Sequence, residues 1–215
     1  MLSQLLLEAT LETLYMVALA SLLAILLGTP LGLLLFISDH GGLAQNGPLY
    51  RFLDLVVNVV RSIPYVIFMI LCIPLTQLVL GRTIGPTATL VSLALSAAPF
   101  FARMLETSLQ EVDGGVIEAA KAMGSTKTEI ITRVLIPEAM PGTINAITML
   151  VINLIGFTAM AGTLGAGGLG AIAVRYGYYR REETILYLSV VIIIILVQIV
   201  QVSGNRLARK VNKKK

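Results

Sequence analysis

Glu118-Ala119-Ala120-Lys121-Ala122-Met123-Gly124, continuing through Pro137 to Pro141, is the one long polar segment with internal order between blocks of nearly pure hydrocarbon. Hydrophobic residues make up 56% of the 215-residue chain and charged residues 13%, with a mean hydropathy of +0.87. An ordinary soluble domain carries about 25% charged residues. Water is therefore not the main solvent, and the composition predicts an all-α, polytopic membrane protein in which the polar segment is a loop at the bilayer surface.

Outward from that loop, a bilayer core about 30 Å thick calls for about 20 helical residues. Five runs meet or approach this length: Leu14 to Ile37, Leu55 to Leu80, Ile84 to Phe101, Gly142 to Thr163 and Thr184 to Val202. They make residues 1–215 one transmembrane domain with its main loop at 103–141. The third run is short, with Pro86 at its start, where a helix tolerates proline, and Pro99 near its end. Glu8 and Glu12 precede the first run without any Lys or Arg, unlike a cleavable signal peptide, so that run is expected to stay.

Basic residues orient the chain. With the N-terminus outside, 12 of the 16 Lys and Arg residues fall inside: Arg51, Arg61, Arg103, Lys121, Lys127, Arg133, Arg206, Arg209, Lys210, Lys213, Lys214 and Lys215. Arg82, Arg175, Arg180 and Arg181 fall outside. The polar loop and the basic C-terminal tail then both face the cytoplasm, and the tail is suited to anionic headgroups. Small residues mark helix contacts in lipid: Gly28 and Gly32 around Pro30, Ser92, Ser96 and Ala97-Ala98, and Ala159 with Gly162. The fifth span, with its run Val190 to Val197, is expected to face lipid.

Composition also excludes chemistry. One cysteine, Cys72, and one histidine, His40, assemble neither a disulfide framework nor a Cys/His metal site. No phosphate-cradling G-x-x-x-x-G-K-[ST] segment is present, and no intramembrane nucleophile and base or paired carboxylates occur. The expectation is a non-catalytic chain that binds no metal, cofactor or nucleic acid, with the lipid bilayer as its surroundings. Energy from ATP would have to enter through a partner.

The loop is built to be two short helices. Asp113 can cap one whose apolar positions Val116, Ala119, Ala120 and Met123 recur at helical spacing, and Gly124 ends it. Thr126 and Glu129 have the form of a capping box for a second, with Ile130, Ile131, Val134 and Leu135 as its apolar stripe and Pro137 expected to stop it. Pro141 opens the next span. Alanines without bulk let such a helix sit in a groove of another protein, and an amphipathic loop lying on the membrane surface is the alternative.

Within the spans, Arg61 is a charge in an apolar run, costing roughly 2.5 to 3.5 kcal/mol at a helix centre. It is expected at the cytoplasmic edge or facing a polar interior. Pro64 disrupts the helix beside it. Asn145 and Asn153 lie eight residues apart near one helical face, with Thr148 and Gly156 close by, and should meet protein or water. Met69, Met149 and Met160 offer soft apolar contacts or simple gap filling. Gly165-Ala166-Gly167-Gly168-Leu169-Gly170 reads G-x-G-x-x-G, but no strand precedes it and no βαβ unit surrounds it. A flexible external loop or gate is expected instead, with Tyr176, Tyr178, Tyr179, Arg180 and Arg181 as interface or membrane-belt residues.

Glu118-Ala119-Ala120, Gly124, Val134, Ile136 and Pro137 resemble the E-A-A, three residues, G, nine residues, I-x-L-P signature of permease subunits of bacterial ABC importers, with Val134 for Ile and Ile136 for Leu. The resemblance implies that Glu118, Ala119, Ala120, Met123, Gly124, Val134, Ile136 and Pro137 belong to a coupling helix that docks on an ATP-hydrolysing subunit. Arg61-Ser62-Ile63-Pro64, Ala97-Ala98-Pro99-Phe100 with Ala102-Arg103-Met104, Pro137-Glu138-Ala139-Met140-Pro141-Gly142 and Gly165 to Gly170 narrow the resemblance to methionine importer permeases, over essentially the whole chain. That family implies a bacterial inner-membrane complex of two permeases, two ATPases holding ATP-Mg, and an external methionine-binding lipoprotein. The pathway or gate candidates are then Arg61, Ser62, Pro64, Met69, Asn145, Asn153 and Met160, with Gly165, Gly167, Gly168, Gly170, Tyr176 and Tyr178 on the external loop. The alternatives are the same machinery serving another amino acid, and a membrane anchor that recruits a cytoplasmic partner.

Overall fold

The computed structural model describes residues 2–212; Lys213, Lys214 and Lys215 of the basic tail lie outside the described residues. The chain is helical, in the order α1 (Leu2–Ser38), α2 (Gly47–Ser62), α3 (Tyr65–Leu71), α4 (Ile73–Leu80), α5 (Pro86–Gln110), α6 (Gly114–Ala122), α7 (Lys127–Glu129), a π-helical turn (Ile130–Leu135), α8 (Ile136–Glu138), α9 (Met140–Gly162), α10 (Gly168–Ile172), a second π-helical turn (Ala173–Tyr178) and α11 (Glu183–Val211). No strand occurs among the described residues. α1, α5, α9 and α11 are each long and apolar enough to cross a membrane, and α2 with α3 makes a fifth if the bent pair is counted as one span.

That fifth span corrects one expectation. Leu55 to Leu80 is not a single helix: α2 and α3 meet at 104°. Pro64 pushes its predecessor out of the helical region, and Ile63 is extended (φ −83°, ψ 122°). The other spans run longer than the apolar stretches alone suggest. α1 starts at Leu2, α5 carries Pro99 in its interior and continues to Gln110, and α11 reaches Val211, so the loop narrows to residues between Gln110 and Met140. Hydropathy marks where a helix meets lipid, and not where its hydrogen-bond ladder ends in water.

The core forms where α1 crosses α5. A Cβ on Gly28 would lie 2.7 Å from the Ala98 carbonyl oxygen, and one on Gly32 would lie 2.7 Å from that of Ala102. Only glycine permits this approach, and it brings Met16, Ala20 and Ala24 onto Leu93, Ala97 and Phe101. α9 completes the cluster with Leu150, Leu154 and Ala161. α11 packs on α9 where Gly204 meets the Thr148 side chain and otherwise buries only Ile185, Ser189 and Ala208, as expected of a lipid-facing span.

The loop follows its local code. Asp113 accepts a hydrogen bond from the Gly115 N–H at 2.8 Å and caps α6. Gly124 takes φ +80° at the end of that helix, and the Thr126–Glu129 capping box is complete. Pro137 does not stop the second helix. It enters the first turn of α8, where its missing N–H costs nothing, and the π-helical register before it lets the Ile136 N–H reach the Ile131 carbonyl. The wider turn also puts Ile130 and Leu135, both buried, on one face.

Two outcomes follow from these contacts. Gly32→Leu should destabilise the protein by about 1–3 kcal/mol through overpacking, read as a lower melting temperature in detergent, whereas Gly156→Ala, with nothing within 4 Å of its added Cβ, should not. The Thr126 backbone N–H, and after it the Thr126 hydroxyl, hold the Glu129 carboxyl below the usual carboxylate range. A depressed carboxylate stabilises above its unfolded value of about 4.3 and loses that contribution as pH falls through the folded one. Hydrogen-exchange protection at the start of α7 should therefore decline in that acid window, and Glu129→Ala should remove the protection at neutral pH.

Candidate functional site

The α6 surface is divided. Ala120 is buried, and Ile117 packs toward the main core beside Leu109, Val112 and Leu135. Glu118, Ala119, Met123 and Gly124 face outward, Met123 with 79% of its surface exposed. The expected stripe of Val116, Ala119, Ala120 and Met123 is thus split: one alanine anchors the helix and the rest stay open. Val134 and Ile136 are half-buried and Pro137 is exposed. A short helix that is marginal alone in water is held from below and presents an unfilled face above.

Of the pathway candidates, the fold brings two together. Arg61 and Asn153 line one cavity of about 160 Å³ with Ile63, Tyr65, Ser96, Phe100 and Phe157. Tyr65 stacks on Phe157 with ring centroids 4.4 Å apart and planes within 5°, so the start of α3 is pinned to α9. Ser62 and Pro64 are exposed beside this cavity, and the Ser62 hydroxyl donates to the Asn58 carbonyl at 2.7 Å. Asn145 does not join them. It opens on a separate polar cavity of about 280 Å³ with Asn205, Arg209 and Asn212 near the end of α11. Met69 is buried in the core and is packing, while Met149 and Met160 are exposed. Thr148 faces α11 and Gly156 faces open space.

Sequence reasoning passed over a polar cluster one turn below that cavity. Arg103 on α5 donates to Glu106 at 2.8 Å, to Asp54, and to Asn58 at 3.4 Å. Asp54 and Asn58 sit on α2 in one stripe with Arg51 and Arg61. Their spacing of three and four residues inside an otherwise apolar run was the available signal. The stripe turns the polar face of α2 toward α5 and leads to the cavity.

The G-x-G-x-x-G segment is a packed junction and not a free loop. Ala166, Gly168, Leu169 and Gly170 are buried. The Gly168 N–H donates to the Glu12 carboxylate at 2.7 Å and the Leu169 N–H to the Thr13 hydroxyl at 3.0 Å. A side chain on Gly170 would run into the Ala159 backbone. Beyond it, Arg180 lies over the Tyr176 ring at 4.7 Å, while Tyr178 and Tyr179 are exposed and meet edge to face. Among the described residues, no group of three His, Cys, Asp or Glu side chains is placed to hold a metal.

Comparison with known proteins places this architecture. The family of binding-protein-dependent transport system inner membrane components matches residues 28–214. A probable D-methionine transport system permease protein of Vibrio cholerae is 48% identical over 98% of this chain and 93% of its own length. A methionine import system permease protein of Bacillus subtilis is 44% identical over 96% of this chain and 93% of its own. A chain in the inward-facing structure of the MetNI methionine ABC transporter superposes with a TM-score of 0.96 at 41% identity, covering 98% of this chain and 97% of that one. With the family matched over residues 28–214 and the superposition covering 98% of the chain, the chain belongs to the binding-protein-dependent transport system inner membrane components.

Proposed function

We propose that the chain is the permease subunit of an ATP-driven importer of methionine or a close relative, delivered by an external binding protein. The near-complete superposition on a chain of a methionine ABC transporter, at 41% identity, carries this reading. The 48% and 44% identical relatives, named for methionine transport, support it.

ATP hydrolysis belongs to a separate subunit, since the sequence has no phosphate-cradling loop. ATP-Mg is held there, and this chain binds no cofactor of its own. Two copies of the chain pair around a central pathway and two ATPase subunits dock on their α6 faces. The N-terminus lies outside and the C-terminus inside, which puts α6 and the basic end of α11 in the cytoplasm. A push on Met123, Ala119 or Glu118 passes through Ala120 and Ile117 to the core cluster that holds Leu109, near the end of α5, and Leu135, in the π-helical turn ahead of α9. Docking is thereby linked to the helices that line the cavity.

The test is uptake by the complex reconstituted with its ATPase and binding protein in liposomes. Wild type should accumulate methionine only with ATP supplied on the ATPase side. Gly124→Val forces a β-branched residue to φ +80°, at roughly 1–2 kcal/mol for the left-handed region, and should lower both ATPase association and uptake about ten-fold. Accumulation of a different amino acid with methionine excluded would refute the solute, and unchanged uptake and association in Gly124→Val would refute the docking role.

A further inference from the structure

We infer that Arg61 and Asn153 form a subsite at mid-membrane depth that holds the carboxylate end of a zwitterionic amino acid in transit, a reading that rests on the proposed import of such a solute. The first observation is depth. Ser96, on the cavity wall, is ten residues past the start of the 25-residue α5, and Asn153 is thirteen residues past the start of the 23-residue α9. At about 1.5 Å per residue these are about 15 Å and about 20 Å from the ends of helices that cross the bilayer. Arg61, exposed at the end of α2, therefore opens on a cavity walled by the middle of α5 and of α9.

The second is that both polar groups are idle. Arg61 and Asn153 make no hydrogen bond or ion pair with any described residue. Arg103, two turns along α5 from Ser96, is bonded to Asp54, Asn58 and Glu106. An ionisable side chain at this depth faces water or a ligand, because the alternative is hydrocarbon.

The third is the shape of the enclosure. It sits at the break between α2 and α3, where irregular backbone inside a membrane is tolerated because it lines a cavity. The guanidinium fork matches a carboxylate with two parallel N–H donors. Asn153 adds an amide donor for the same group or a carbonyl acceptor for the ammonium. The stacked Tyr65–Phe157 pair, Phe100 and Ile63 form an apolar wall for an uncharged side chain, which suits a thioether and rejects a second charge. Acidic side chains are absent from the lining.

Radiolabelled methionine binding to the assembled complex, without the binding protein, reads the subsite directly by equilibrium dialysis. Methioninol, which lacks the carboxylate, should bind about ten-fold or more weakly to wild type. Arg61→Gln, taken only as complexes that co-elute with the ATPase, should lose about ten-fold in methionine affinity and abolish the methionine-to-methioninol preference, while Arg61→Lys should keep part of both. A loss of structure alone would weaken both compounds equally, so an unchanged preference in Arg61→Gln overturns the inference, as does a wild-type complex that binds no amino acid. If wild type prefers glutamine and Arg61→Gln abolishes its preference over the carboxylate-free analogue, the subsite stands and methionine as the solute fails. If wild type imports methionine and Arg61→Gln binds and imports it as well, the solute stands and the subsite fails.

Discussion

The approach of α1 to α5 is the contact on which the remaining structure depends. In lipid there is no hydrophobic effect to drive helices together, so association rests on packing and on polar contacts. Gly28 and Gly32 supply the packing by bringing the α1 backbone against the carbonyls of Ala98 and Ala102. Once that crossing is set, Met16, Ala20 and Ala24 meet Leu93, Ala97 and Phe101, and α9 closes the third side. The N-terminal half of α1 is then carried to the end of the bundle where Glu12 and Thr13 receive the backbone N–H groups of Gly168 and Leu169. One close crossing thus fixes both the core and that junction.

The break at Ile63–Pro64 and the two arginines beside it show opposite answers to one constraint. A cation among apolar helices must be paired, hydrated or used. Arg103 is paired, through side chains contributed by α2 and by its own helix. Arg61, two turns further along the polar stripe of α2, has no partner and faces a cavity. The 104° bend sets the wall of that cavity: a straight span would carry Tyr65 away from Phe157, on which it stacks.

The loop from α6 to α8 connects this interior to its surroundings by a chain of small contacts. Its helices are too short to persist on propensity, and their caps, Asp113 and the Thr126–Glu129 pair, satisfy only their ends. What holds them is the burial of Ala120, Ile130 and Leu135, the last of them in the main core. The π-helical turn is part of that arrangement. It accommodates Pro137 and at the same time aligns Ile130 with Leu135, so the residue that would ordinarily end a helix is followed by only a one-residue bend at Ala139 before α9.

The sequence by itself determined the helical class, the central part of four of the spans, both cap motifs and the small-residue contact at Gly28 and Gly32. Each of these is a local matter, settled by composition, by a period of three to four residues, or by a side chain that bonds its own near neighbours. The opening of Arg61 and Asn153 on one cavity and the separation of Asn145 from both were decided only by tertiary structure. So were the cluster of Asp54, Asn58, Glu106 and Arg103, and the burial of the glycine segment against Glu12. The physical reason is common to them: each depends on a bend or a crossing that brings together residues from 45 to 156 positions apart, and a sequence pattern carries the direction of a side chain around its own helix but not the neighbour that helix will find.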